Sequence, residues 1–139
     1  MNIFKEGKLK STYQSLAFFR EHLKFIGQVR YIVLYYAERE WSINPELYHQ
    51  YVIIIGKKAQ IWLSGLTWGY YGAGPSAFHD LMQIIDPDIT YELITSLEWM
   101  AKHPIVFENV NGKLVLKPFN ELARSIICVE NNKLPWSIR

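Results

Sequence analysis

Between Thr12 and Ile26 the apolar residues Leu16, Phe19, Leu23 and Ile26 recur at helical spacing, while Arg20, Glu21 and Lys24 fall on the other side. This pattern predicts an amphipathic helix laid on a core, and Gly27 stands where such a helix commonly stops. The period then changes. Residues 29–37 are rich in Val, Ile and Tyr, with apolar side chains on both alternating sets, which predicts a strand covered on both faces. Residues 51–55 and 59–63 flank Gly56-Lys57-Lys58, and residues 105–110 and 113–117 flank Asn111-Gly112. Each pair reads as a β-hairpin, the second with the favoured dipeptide for a two-residue turn.

Three further helices are expected. Phe78, Leu81, Met82 and Ile85 form the inward stripe of one over 76–85. Asp86-Pro87-Asp88 combines a capping acid with a first-turn proline, so a second should begin there and carry Ile89, Leu93, Leu97 and Met100 on one face to about Lys102. Asn120-Glu121 would open a last one, with Leu122, Ala123, Ile126 and Ile127 facing inward. Asn44-Pro45-Glu46 suits a short helical turn or a loop. The sum is an α+β fold: one domain spanning residues 1–139, two hairpins and a central strand packed with about four helices.

Half of the 139 residues are hydrophobic and 15% are aromatic, which supports a folded globule and argues against disorder. The net charge is +2, with six Lys/Arg against two Glu in residues 1–30. That mild asymmetry without a dense basic run describes a solvated face and argues against nucleic acid. Cys128 is the sole cysteine, so no intrachain disulfide is expected, and an apolar setting suits a buried, inert thiol. The opening residues lack a signal-peptide core, which points to the cytoplasm. Residues 59–78 carry no formal charge, but Gly65, Gly69, Gly72, Gly74 and Pro75 within them argue against a membrane helix.

The candidate site is the stretch 65–76, which holds four of the eight glycines and leads into the 76–85 helix. Glycines permit positive φ or close approach to the backbone, Pro75 fits a first helical turn, and Ser76 could cap instead. The free N–H groups of such a terminus favour an anion. With Trp68, Tyr70 and Tyr71 as flat faces, Gly72, Gly74 and Ser76 as the anion loop and His79 just beyond, the stretch could hold a nucleotide-like or other anionic small molecule. Aromatics packed over a tight strand-to-helix turn would give the same pattern. Neither the P-loop nor the dinucleotide-binding spacing is present.

The segment Trp68-Gly69-Tyr70-Tyr71-Gly72-Ala73-Gly74-Pro75 resembles that of short bacterial and phage proteins of undefined function with an aromatic-Gly-Tyr-Gly-x-Gly-Pro motif, here with Tyr71 in place of a glycine. The resemblance covers about residues 51–85. It implies a small intracellular domain of bacterial or mobile-element origin and transfers no activity.

Catalytic signatures are sparse. His22, His49, His79 and His103 lack metal-ligand spacing, no cofactor is implied, and no serine sits in a nucleophile elbow. The acid pairs Glu38 with Glu40 and Asp86 with Asp88 suit a strand exit and a helix cap. A non-enzymatic role is favoured. The leading reading is a homo-oligomeric interaction protein with Trp99, Trp136 and some tyrosines buried between copies. The alternative is a binding module for the anionic small molecule at 65–76. A pocket enzyme using His79 as acid or base comes third.

Overall fold

The computed structural model describes residues 2–7, 10–36, 50–99 and 104–118. The elements follow in the order β1 (Asn2–Lys5), α1 (Thr12–Ile26), β2 (Val29–Tyr36), β3 (Gln50–Gly56), β4 (Ala59–Leu63), α2 (Ala73–Ile85), α3 (Tyr91–Ser96), β5 (Ile105–Val110) and β6 (Lys113–Lys117). The strands form one mixed six-stranded sheet in the order β1-β4-β3-β2-β5-β6. The architecture is α+β, with three helices among the described residues rather than about four. The helix expected from Asn120, the turn at 44–46, Cys128 and Trp136 lie outside them.

Both hairpins form in the expected places, and β2 joins them by pairing antiparallel with β3 on one side and β5 on the other. Asn111 and Gly112 take φ values of 53° and 86°, as a tight turn matched to strand twist requires. The strand β1 was not legible. Four residues are too few to show alternation, and β1 is held by a distant partner, pairing in parallel with β4 from Asn2 opposite Ala59 to Lys5 opposite Trp62. Two strands, β4 and β3, stand between β1 and β2, so the β1-α1-β2 crossover leaves room for the later hairpin to insert.

Strand alternation sorts the core into two clusters. Ile32, Leu34, Val52, Ile54, Ile61 and Leu63 face the helices, joined by Phe19 and Ile26 of α1, Phe78, Leu81 and Met82 of α2, and Ile94 of α3. Val33, Tyr35, Tyr51, Ile53 and Trp62 belong to the second cluster, on the opposite face. Both sets are buried in β2 and β3, as their continuous apolar runs predict.

Helix α1 spans the expected residues. Ser11 caps it in a capping box with Gln14: the Gln14 N–H donates to Ser11 Oγ (3.1 Å) and the Ser11 N–H to Gln14 Oε1 (2.8 Å), satisfying two otherwise orphaned donors. Helix α2 begins three residues earlier than the expected 76, at Ala73, with Gly72 rather than Ser76 as its cap. Pro75 stands in its first turn, where it displaces no intrahelical donor.

The expectation for Asp86 needs correction. It ends α2, its N–H donating to the Met82 carbonyl (2.8 Å), while the next helix starts at Tyr91 under Thr90, whose hydroxyl accepts from the Leu93 N–H (3.2 Å). The buried Asp86 carboxylate accepts from the Asp88 N–H (3.0 Å) and from the Leu114 N–H of β6 (2.9 Å). It therefore covers part of the outer edge of the sheet, one way an edge strand is protected from further pairing. Helix α3 stops at Ser96, short of the expected Lys102. Thr95 and Ser96 return their hydroxyls to the Glu92 and Leu93 carbonyls, and the Ile94 carbonyl accepts the Gly69 N–H (3.0 Å). Loop and side-chain donors take the carbonyls that a longer helix would use.

Asp86→Ala should destabilise the fold by about 1–3 kcal/mol in urea unfolding, because the Leu114 N–H loses its acceptor in a buried setting. Asp86→Asn, which keeps one acceptor oxygen, should lie between it and the native protein. Next to it, the Lys113 ammonium pairs with Asp88. Its hydrogen bond and then its charge hold the Asp88 carboxyl below the ordinary 3.8. The folded pKa is depressed, so the contribution is present above the unfolded value and lost as pH falls through the folded one. Asp88→Asn should remove that part of the acid dependence in a pH series of melting curves.

Candidate functional site

Chain leaving β4 turns at Ser64-Gly65, crosses the helix-covered core at Leu66 and Trp68, surfaces at Tyr70-Tyr71 and enters α2 at Ala73. The glycines serve mainly close approach. A Cβ on Gly74 would lie 1.9 Å from Thr67 Oγ1, and one on Gly65 would lie 2.4 Å from the Ser11 carbonyl oxygen. Among the four glycines of the stretch only Gly69, at 84°, has positive φ. Gly74 thus lets the first turn of α2 rest on Thr67, and Gly65 lets the exit of β4 meet the start of α1.

The seven candidate residues occupy different layers. Trp68 is buried, 1% exposed, with its indole N–H donating to the Glu98 carbonyl (3.2 Å) and its ring edge-on to Trp99 (4.9 Å). Tyr70 is 45% exposed, and its hydroxyl shares a hydrogen bond with Thr67 Oγ1 (2.8 Å). Tyr71 is 77% exposed and meets Tyr91 edge-on at 5.8 Å. The Gly72 N–H donates to the Tyr91 hydroxyl (3.2 Å). Gly74 is buried, while Ser76 is exposed and sends its N–H to the Gly72 carbonyl (3.0 Å).

His79 is half-buried, and its Nε2 donates to the Ile89 carbonyl (2.8 Å), with its ring 5.8 Å from that of Tyr91. It fastens α2 to the turn before α3. Tyr91 therefore links Tyr71, Gly72 and His79, a role that no local spacing announces. Trp99 packs within the chain against Tyr36, Trp68 and Tyr70. What this arrangement presents to solvent is a pair of tyrosine rings on a backbone tied from beneath. Among the described residues no group of three or more His, Cys, Asp or Glu side chains could hold a metal ion, and no helix is long and apolar enough to cross a membrane.

A second polar centre lies at the other end of the same stretch. Glu6 is 4% exposed. Its Oε1 accepts from the Ser15 hydroxyl and from the Ser64 N–H (3.0 Å). Ser15 Oγ in turn accepts the Gly65 N–H (2.9 Å), and Ser64 Oγ donates to the Gly7 carbonyl (2.6 Å). The end of β1, the first turns of α1 and the exit of β4 thus meet at one carboxylate. Beside it, between β1 and α1, lies a groove of about 400 Å³. Sequence reading missed this centre, since its hydrogen-bonded members lie up to 58 positions apart and no motif joins them.

Comparison of the chain with protein-family models, curated proteins and solved structures finds no match.

Gly74→Ala should cost about 1–3 kcal/mol of stability, as an added methyl does in a closely packed site. Relief by turning the Thr67 hydroxyl would break its bond with Tyr70. The pair Thr67→Ala with Gly74→Ala should cost less than the sum of the single changes in a double-mutant cycle of urea denaturation. Additive costs would mean that the two residues do not share this contact.

Proposed function

We propose that the protein is a small self-associating interaction module whose contact surface is the tyrosine-bearing turn ahead of α2. The supporting observation is the union of exposure and neutrality. Tyr71 and Tyr70 are 77% and 45% exposed, and they stand in a stretch, 59–78, without formal charge. A patch of this kind meets its own copy about a two-fold axis without like-charge repulsion. Tyrosine contributes a large amphipathic contact area at low entropic cost, and here Thr67 and Tyr91 already restrain the two rings. Trp99, packed against three aromatic rings of its own chain, serves this reading as a support beneath Tyr70 rather than as an anchor between copies.

A second reading shares the same turn: an anionic, nucleotide-like small molecule at the start of α2. It draws on the absence of any acidic side chain in the first turn of that helix, which leaves the positive end of the helix dipole uncompensated by a local carboxylate. A role for His79 as acid or base draws no support from its hydrogen bond to the Ile89 carbonyl.

Sedimentation velocity should find a concentration-dependent dimer that Tyr71→Ser weakens by about 2 kcal/mol, the scale of an aromatic hot spot, or roughly thirtyfold in Kd. The circular dichroism spectrum should stay unchanged, because the Tyr71 ring is exposed. A monomer at all concentrations would overturn self-association. A native mass spectrum of the purified chain showing added mass that vanishes on denaturation would favour the small-molecule reading.

A further inference from the structure

We propose that the groove between β1 and α1 binds an organic cation, a primary amine or guanidinium carried by a small molecule, with the Glu6 carboxylate as its anionic partner. Removing a carboxylate from water is costly unless its charge is met by hydrogen bonds and a counter-charge. Glu6 is 4% exposed, and both of its hydrogen bonds, from Ser15 and from Ser64, fall on Oε1. Its Oε2 takes no hydrogen bond from a described residue, and no described Lys, Arg or His forms an ion pair with Glu6. Glu6 is nonetheless a wall of the groove. A buried carboxylate whose bonds from described residues all fall on one oxygen, in the wall of an open groove of about 400 Å³, has the form of a cation acceptor rather than of a structural pair.

The other walls suit the same ligand. Glu21 adds a second carboxylate and Gln14 an amide, while Ala17 and Phe18 supply an apolar side. The volume is in the range of small-molecule sites. Lys5 also borders the groove, but its ammonium lies over the Tyr51 and Trp62 rings, 5.8 and 5.6 Å from their centroids, and those rings belong to the second core cluster. Lys10 is a further cation in the lining, available to a carboxylate carried by the ligand. Ser15 is fully buried, so it orients Glu6 and does not face the ligand.

The test is isothermal titration calorimetry of the full chain with agmatine and with L-arginine, which share a guanidinium but differ in carrying a carboxylate. Both should bind, with arginine the tighter of the two because of Lys10. Glu6→Gln should weaken both by roughly thirtyfold, the scale for removing one partner of a buried charge pair. Its amide oxygen can keep the bonds from Ser15 and Ser64, and an unchanged melting temperature would verify that. Ala17→Arg, at an exposed position of α1, should weaken agmatine at least tenfold by placing a competing guanidinium at the mouth without touching Glu6. Tyr71→Ser should leave binding unaltered, which separates this site from the self-association surface. Failure of both probes to bind the native chain, or equal binding by folded Glu6→Gln, would overturn the proposal.

Discussion

The Glu6 carboxylate is the constraint on which the helix-covered half of the molecule is arranged. It takes the Ser15 hydroxyl from α1 and the Ser64 N–H from the end of β4, while the Glu6 N–H extends the β1–β4 ladder to the Trp62 carbonyl (3.0 Å). One residue thereby sets the height of α1 on the sheet, holds a four-residue strand at its edge and fixes where the chain leaves β4. Buried polar groups of this kind are specific because misplacing any partner leaves a desolvated donor or charge. Gly65 completes the junction, since any side chain there would meet the Ser11 and Lys10 carbonyl oxygens.

From that junction the path to the surface follows by packing. Leu66 and Trp68 are buried in the helix-side cluster, Gly74 settles on Thr67, and Tyr91 accepts the Gly72 N–H. Two tyrosines are left outside on a backbone with little freedom, because the turn is fastened at both ends by core packing and hydrogen bonds. Restraint of this sort makes an exposed aromatic an efficient contact. The same reasoning links the two proposed surfaces: the groove lies beside the junction carboxylate, whose bonds from described residues all fall on one oxygen, and the tyrosine patch lies where the chain emerges from the junction.

Much was legible in local pattern. The helical spacing of Leu16, Phe19 and Ile26, the doubly apolar run of β2 and the Asn111-Gly112 turn each encode their structure within a few residues. So does the stripe of Phe78, Leu81 and Met82. The candidate site was legible only as a glycine-rich stretch between a strand and a helix. Sequence could not tell that Trp68 faces inward and Tyr71 outward, since in an irregular segment no period assigns a side chain to a face.

By itself, then, the chain determined its hairpins, its central strand, two of its helices and the α+β class, because these depend on periodicity and turn chemistry between near neighbours. Tertiary structure decided the rest. It made Asn2–Lys5 a strand by supplying β4 as a parallel partner, and it made Asp86 the end of α2 and an acceptor for the β6 edge rather than the start of the next helix. It ended α3 early by giving its carbonyls to Gly69 and to its own hydroxyls, and it assembled the Glu6 centre. Each of these outcomes rests on a hydrogen-bond partner brought from elsewhere in the chain or on a local competition among donors, and neither leaves a repeating mark on the sequence.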